Sequence, residues 1–175
     1  MSVEIKTAAE WLRLSHIDRW AIVSTATRQS VAEHTWRVWA LVHVWGPECG
    51  LTEEEQWVAE RYALIHDVPE IRTGDMPTTI KTPLAKAQRM AFELEALPEI
   101  AVIKRELPSY VADLVKICDI AESILFIKVH GLGRHAQDVC KLLEVQMSDY
   151  ISTSALPGTA KETIAHLFLG TYHDT

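Results

Sequence analysis

Four residues with metal-ligand chemistry lie where the sequence predicts buried helix faces, namely His34, His66, Asp67 and Asp119. Their neighbours at helical spacing are largely apolar, which points these side chains inward. A buried carboxylate without a partner is very costly, so both aspartates need one. Two imidazoles and two carboxylates suit a divalent metal such as zinc, manganese, iron or cobalt, and the two carboxylates balance its charge. The pattern therefore predicts one divalent transition metal held by these four residues.

Each of these residues also has a simpler interpretation when it is considered alone. An inward histidine is most often a core residue that hydrogen-bonds to a neighbour. Asp119 could form a buried ion pair with Lys116 or Lys128. The metal interpretation is preferred because it accounts for all four residues together.

The elements that must position these residues are helices, because the hydrophobic periodicity is helical almost throughout. The sequence predicts an all-α fold, and 175 residues suit one domain, which we expect to span residues 1–175. Capping boxes at Ser30 and Thr52 begin two of the helices, and Ser109 can cap a third. The predicted helices run over about residues 8–14, 30–45, 52–66, 84–97, 98–108, 110–130, 135–151 and 158–169, with a loop or broken helix over 16–29 and a loop over 71–83.

The composition argues against several partners and environments. A formal net charge of −7 disfavours broad nucleic-acid binding, which depends on many Lys and Arg contacts to phosphates. No run approaches the ~18 apolar residues of a membrane span, and the first residues lack a signal-peptide pattern. Three cysteines without a CxxC pair argue against a disulfide framework. We expect a cytoplasmic protein that binds neither nucleic acid nor membranes, and its six tryptophans favour a homo-oligomer.

The residues that follow and precede the histidines form a longer and more specific pattern than the His-Asp pair alone. An HDxxExxTGDxP motif with an upstream RW resembles the HD-domain metal-dependent phosphohydrolases, and in particular their bacterial 5′-deoxynucleotidase branch. The matching segments, which fall within residues 15–122, are DRW at 18–20, VAEH at 31–34, HDVPEIRTGDMPTTIK at 66–81 and KICDIAE at 116–122.

The resemblance is closer still to a compact branch of this superfamily, because the chain is short and contains RWAIV. That branch is the dATP triphosphohydrolases of bacteriophages with 2-aminoadenine DNA, which remove dATP so that the modified base replaces adenine. The resemblance implies a compact HD-domain helical bundle that is completed by the C-terminal helices over 135–170. It also implies an enzyme of nucleotide metabolism in the host cytoplasm, with dATP as its substrate.

The resemblance assigns the metal to His34, His66, Asp67 and Asp119, with zinc, cobalt or manganese as the ion. Such a metal generates a hydroxide that attacks the α-phosphorus. Glu70 would position the water or carry its proton, and together with Asp67 it forms the expected catalytic pair.

Three cations are expected to hold the triphosphate. The family motif places Arg19, and a guanidinium suits phosphate through paired hydrogen bonds. Lys116 lies one helical turn before Asp119, and Lys81 ends the TGDMPTTIK segment.

Four further residues are expected to hold the nucleoside. Trp20 would stack on the base or sugar, and Asp75 would receive the 3′-hydroxyl beside a wall formed by Pro77. Ile22 could line the base edge and exclude a 2-amino group, although it could equally belong to the core. This set would select dATP over its 2-amino analogue.

Two other functions remain open from the sequence. A 5′-deoxynucleotidase acting on deoxynucleoside monophosphates would use the same metal motif and release orthophosphate instead of tripolyphosphate. A non-catalytic helical protein could use the metal for stability or bind a nucleotide as a sensor. Glu70 and Asp75 argue against the non-catalytic alternative, because such a protein has no use for them. Cleavage of cyclic or oligomeric nucleotides is a further possibility within the superfamily.

Overall fold

The computed structural model describes residues 3–76 and 83–174. Within these ranges the chain is helical with no β-strand, which confirms the all-α prediction, and none of the helices is long and apolar enough to cross a bilayer. The helices are α1 (Ala8–Trp11), a 3₁₀ helix (Leu12–His16), α2 (Val31–Glu48), α3 (Glu53–Ile65), α4 (Glu70–Thr73), α5 (Pro83–Ala96), α6 (Glu99–Glu106), α7 (Ser109–His130), α8 (Gly133–Thr153) and α9 (Gly158–Asp174).

Helix α7 lies at the centre of the fold because it is apolar nearly all round, and such a helix must be covered on every side. It packs against α2, α3 and α8, and α2 also packs against α3. Leu114, Ile117 and Ile124 of α7 are fully buried, as is Trp45 of α2. A polar side chain on the face of α7 that packs on α2 and α3 therefore lies at the junction of these three helices.

Helix α2 ends at Glu48, three residues beyond the predicted end at Trp45. Pro47 lies in its last turn, where a proline deprives the carbonyl group of His43 of its usual donor. The side-chain amide of Gln56 lies 3.5 Å from that carbonyl oxygen and partly replaces the missing donor. The predicted end of α2 was wrong because the sequence pattern does not reveal that a side chain of α3 compensates for Pro47.

Two other boundaries also differ from the prediction. Residues 70–73 form the single turn of α4 where the start of a loop was expected, since Pro69 has a φ of −56° that suits a helix start. Ser109 is the first residue of α7 and not its cap, because Pro108 precedes it in the capping position.

The segment over residues 17–30 is irregular, as predicted, yet backbone hydrogen bonds fix it at several points. Arg19 N donates to the carbonyl of Gln29 (2.9 Å), and Ala26 N donates to the carbonyl of His130 (2.7 Å). The second bond ties the segment to the end of α7. Side chains at 19–23 are thereby held beside the C-terminal half of α7.

Candidate metal centre and substrate cavity

Three separate elements bring the four predicted ligands together. His34 lies in the first turn of α2, His66 caps the end of α3 with Asp67 directly after it, and Asp119 lies midway along α7. Because α2 and α3 both pack on α7, the four side chains converge although they are far apart in sequence.

The ligand atoms of this cluster have the spacing of groups that share one ion. His34 Nε2 lies 3.0 Å from Asp119 Oδ1 and 3.5 Å from Asp67 Oδ2, and His66 Nε2 lies 3.2 Å from Asp67 Oδ2. Metal bonds of about 2.0–2.2 Å place adjacent ligand atoms about 3.0–3.5 Å apart. Three of the residues, His34, His66 and Asp67, have ligand atoms that all lie within 4.8 Å of one another.

The histidines have the tautomer that a metal requires. His66 Nδ1 lies 2.8 Å from the carbonyl oxygen of Ala63, and His34 Nδ1 lies 2.5 Å from Glu122 Oε2, so each Nδ1–H donates away from the cluster. Each Nε2 then carries a lone pair, and both Nε2 atoms are buried with no hydrogen bond among the described residues. Such inward lone pairs beside carboxylates fit a divalent cation.

Both aspartates of the cluster have lowered pKa values although burial opposes their charge. Burial alone would raise the pKa of the Asp67 carboxyl, but His66 outweighs it and the pKa lies below its ordinary value. Burial likewise opposes ionisation of Asp119, whose pKa is nevertheless held low by Lys116 and His34. Lys116 Nζ lies 2.6 Å from Asp119 Oδ2. The ion pair that we considered as an alternative thus exists, and it lies beside the cluster rather than in place of it.

Glu122 is a buried carboxylate directly behind the cluster that our sequence reasoning missed. Its buried carboxylate accepts hydrogen bonds from His34 Nδ1 (2.5 Å), Gln29 Nε2 (2.7 Å) and Arg37 Nε (2.8 Å), and from Arg19 (3.1 Å). Burial opposes its charge, but these partners hold the pKa of Glu122 below its ordinary value. A signal was present, since a second acidic residue one turn after Asp119 in an apolar helix also needs partners.

A cavity of about 550 Å³ opens over the cluster. Its floor is one face of α7, formed by Ala112, Val115, Lys116, Asp119, Ile120 and Ser123. At 1.5 Å per residue, the floor from Lys116 to Ser123 spans about 10 Å, with Asp119 between them. The cavity therefore extends to both sides of the candidate metal centre.

One end of the cavity is aromatic. Trp20 lines it and stacks on Phe126 with ring planes 3° apart, and Arg19 lies 5.0 Å from the Trp20 ring centroid. Trp20 has a φ of 65°, which is uncommon for a residue other than glycine. Ile22 lines the same end and is 54% exposed, so it does not belong to the core.

The other end of the cavity carries cations. Lys116 lines it together with Lys104, which the sequence analysis did not single out. Lys104 Nζ lies 4.0 Å from Glu93 Oε2 and 5.9 Å from the centroid of the Tyr62 ring. Tyr62 in turn lies beside His66, with ring centroids 6.1 Å apart, so one ring neighbours both Lys104 and the candidate metal centre.

The remaining predicted residues lie around the same cavity or outside the described part of the chain. Glu70 begins α4 and lines the cavity with His66 and Asp67. Asp75 also lines it, directly after Gly74, whose φ of 72° favours glycine and turns the chain. Pro77 and Lys81 lie outside the described residues, and their predicted roles stay predictions.

The fold and the His/Asp cluster are those of an HD phosphohydrolase, and comparison with known proteins agrees. Residues 8–125 match the family described as 5′-deoxynucleotidase YfbR-like, and the chain belongs to this family.

Individual relatives extend the similarity over the whole chain. The dATP triphosphohydrolase of Cyanophage S-2L is 41% identical over all of both chains, and that of Salmonella phage PMBT28 is 30% identical over 85% of this chain and 80% of its own. The solved structure of the Cyanophage S-2L HD phosphohydrolase (DatZ), bound to dA and one catalytic Zn²⁺ ion, superposes with a TM-score of 0.95. That match has 41% identity and covers 98% of this chain and 99% of the other.

We predict that Asp119→Asn weakens zinc binding. The substitution replaces a negatively charged ligand by a neutral amide. Zinc affinity should therefore fall by more than the factor of about 10–100 that is usual when a residue hydrogen-bonded to a metal ligand is changed. Competition with a chromophoric chelator measures the dissociation constant. Asp138→Asn is the matched control, because it makes the same chemical change at an exposed position on α8. Equal zinc affinity in Asp119→Asn and Asp138→Asn would contradict the assignment.

Proposed function

We propose that this protein is a metal-dependent triphosphohydrolase that converts dATP to deoxyadenosine and tripolyphosphate. The observation that carries the proposal is a single cavity with the His/Asp cluster in its floor, an aromatic end at Trp20 and a cationic end at Lys116. A nucleoside triphosphate has the same order of parts, with an aromatic base, a reactive phosphorus and an anionic tail. The similarity to phage dATP triphosphohydrolases over the whole chain supports this choice.

In this proposal, His34, His66, Asp67 and Asp119 hold one divalent ion. Zinc is the leading candidate, because it is the ion in the similar solved structure, and cobalt and manganese suit the same ligands. When bound, the ion supplies Lewis acidity and lowers the pKa of a water towards about 7.

The chain's own residues then carry out the proton transfers. Glu70 holds the attacking water and accepts its proton as the oxygen bonds to the α-phosphorus. The bond between the α-phosphorus and O5′ breaks, and O5′ receives the proton that Glu70 took from the water, so that deoxyadenosine leaves as the neutral alcohol. The position of Glu70 in the cavity wall beside His66 and Asp67 supports this role.

The aromatic end binds the nucleoside. Trp20 stacks on the base, and Asp75 accepts a hydrogen bond from the 3′-hydroxyl group. Ile22 faces the base edge, where a 2-amino group would clash. The exposure of Ile22 in the cavity wall supports a selective role over a core role. This selectivity would remove dATP in favour of the 2-aminoadenine nucleotide, in the cytoplasm of a phage-infected cell.

The cationic end binds the phosphates. Lys116 and Lys104 offset charge on the outer phosphates, with Lys81 as a further predicted contact. Arg19 lines the cavity but also donates to Glu122, Gln29 and Ser123, so it both faces the substrate and supports the metal centre.

The second candidate is a 5′-deoxynucleotidase that acts on monophosphates. The description of the matched family favours it. The two functions differ in what occupies the cationic end, since a monophosphate leaves Lys104 without a phosphate partner.

We predict that the zinc-loaded protein releases deoxyadenosine and tripolyphosphate from dATP and turns over 2-amino-dATP poorly. Chromatography after incubation with each dNTP, the analogue and dAMP measures the products. Glu70→Gln should retain zinc and lose about 10²–10⁴-fold in rate, because it cannot accept the proton. Turnover of dAMP alone, with release of orthophosphate, would establish the nucleotidase instead. Absence of turnover with zinc, cobalt and manganese would favour the non-catalytic alternative.

We also predict that Lys116→Ala lowers kcat/KM for dATP by about 10–100-fold, the usual value of a hydrogen bond to a charged group, and affects a monophosphate much less. Lys104→Ala should show the same selectivity, since the proposal assigns its ammonium group to the outer phosphates. Lys128→Ala is the control, because it removes the same charge from α7 outside the cavity wall. Zinc affinity is measured in parallel, since Lys116 contacts Asp119. Equal losses on triphosphate and monophosphate would contradict the assignment of the cationic end.

A further inference from the structure

A continuous chain of hydrogen bonds joins the aromatic end of the cavity to the candidate metal centre. Trp20 Nε1 donates to Gln29 Oε1 (2.7 Å), and Gln29 Nε2 donates to Glu122 Oε1 (2.7 Å). The other oxygen of Glu122 accepts from His34 Nδ1 (2.5 Å). Gln29, His34 and Glu122 each have at most 1% of their surface exposed. Among the residues that the structure describes, neither Gln29 nor Glu122 lines the cavity, so both lie behind its wall and away from the substrate.

The partners at each end leave only one orientation for the Gln29 amide. The Trp20 indole nitrogen is a donor only, and an ionised Glu122 is an acceptor only. The amide oxygen must therefore face Trp20 while the amide nitrogen faces Glu122. A displacement of Trp20 or of Glu122 therefore also disturbs the bond at the other end, because the Gln29 amide cannot rotate without losing both bonds.

The same logic fixes the proton on His34. Arg19 Nη1 lies 2.5 Å from His34 Nδ1, but this nitrogen has two hydrogens and donates them to Glu122 Oε2 (3.1 Å) and Gln29 Oε1 (3.3 Å), so none is left for His34. Glu122 remains as the acceptor for the His34 Nδ1–H. This bond keeps the Nε2 lone pair directed into the cluster.

Trp20 is the residue through which this chain of hydrogen bonds can affect substrate binding. Its φ of 65° is a sparsely populated conformation that the surroundings must maintain. The bond to Gln29, the stacking on Phe126 and the Arg19 guanidinium over its ring are side-chain contacts that hold it. Whatever orders Gln29 therefore also orders the platform on which a base would stack.

We propose that Glu122 and Gln29 are positioning residues that couple nucleoside binding at Trp20 to metal binding at His34. Metal binding orders His34, Glu122 and Gln29, and the nucleoside then meets a Trp20 that is already in place. Linkage requires the effect to be reciprocal, so deoxyadenosine also tightens metal binding. The choice of deoxyadenosine rests on the proposed function, whereas the role of Glu122 at His34 does not.

The chain contains a matched control for this network. On the outer face of α2 and α3, Glu60 accepts from His43 Nδ1 (2.9 Å) and Trp39 Nε1 (3.2 Å), and Gln56 Nε2 lies 2.6 Å from it. This set repeats the Trp, Gln, Glu and His components at a site that does not line the cavity. Glu60→Gln therefore makes the same change as Glu122→Gln without touching the proposed coupling.

The experiment is a zinc titration of the full-length chain by chelator competition, with and without deoxyadenosine, for the wild type, Glu122→Gln, Gln29→Met and Glu60→Gln. Thermal unfolding shows that each variant is folded. We expect Glu122→Gln to weaken zinc binding by about 10–100-fold. Deoxyadenosine should tighten zinc binding of the wild type and Glu60→Gln by about fivefold or more, and should do so much less in Gln29→Met.

Nitrogen-15 NMR of the zinc-loaded protein provides a readout that a purely structural role would not change. The wild type should show a His34 Nδ1 proton with the strong downfield shift of a bond to carboxylate, and Glu122→Gln should reduce that shift. Zinc affinity and an Nδ1 signal that are both unchanged in Glu122→Gln would overturn the role of Glu122. Equal tightening by deoxyadenosine in Gln29→Met and the wild type would overturn the coupling.

The outcomes also separate this proposal from the proposed function. If the wild type binds deoxyadenosine but its zinc affinity does not change, the coupling alone is wrong. If the wild type does not bind deoxyadenosine at any zinc concentration, the proposed substrate and the coupling are both wrong. The role of Glu122 is then still tested by the zinc affinity and the His34 Nδ1 signal of Glu122→Gln.

Discussion

The contact between His34 and the carboxylates around it is the constraint on which the rest of the structure depends. His34 is completely buried, and its two ring nitrogens face Asp119 on one side and Glu122 on the other. Both carboxylates come from α7, whose other buried residues are apolar apart from Ser123. Burying them would be prohibitive without partners, so α2 must supply His34 and Arg37 at this level and the segment before it must supply Arg19. The helix packing and the charge balance are therefore one requirement.

The same arrangement separates the parts of the proposed substrate. Asp119 lies in the middle of the α7 face that floors the cavity, so groups on the preceding turn meet one side of the metal centre and groups on the following turn meet the other. The segment over 17–30, tied to the end of α7, supplies Trp20 and Ile22 to the second side. One helix thus sets the distance between the proposed base platform and the proposed phosphate-binding lysines.

The sequence predicted most of the helices and the group of residues that converge, because inward faces can be read from periodicity. His34, His66, Asp67 and Asp119 meet as expected, whereas their functional roles, like those of Glu70 and Asp75, stay predictions. Glu122, Gln29 and Lys104 were missed because their importance lies in partners on other elements, which periodicity does not reveal. The end of α2 was missed for the same reason, since Gln56 on α3 makes Pro47 tolerable.

The central claim is that the cluster directs water to the α-phosphorus with deoxyadenosine as the leaving group. Turnover of dATP in ¹⁸O-labelled water, followed by mass spectrometry of the products, tests it most directly. The account predicts one ¹⁸O atom in tripolyphosphate and none in deoxyadenosine, because the bond between the α-phosphorus and O5′ breaks. Label in deoxyadenosine, in orthophosphate or in dAMP formed with pyrophosphate would contradict it, since each requires a different bond to break.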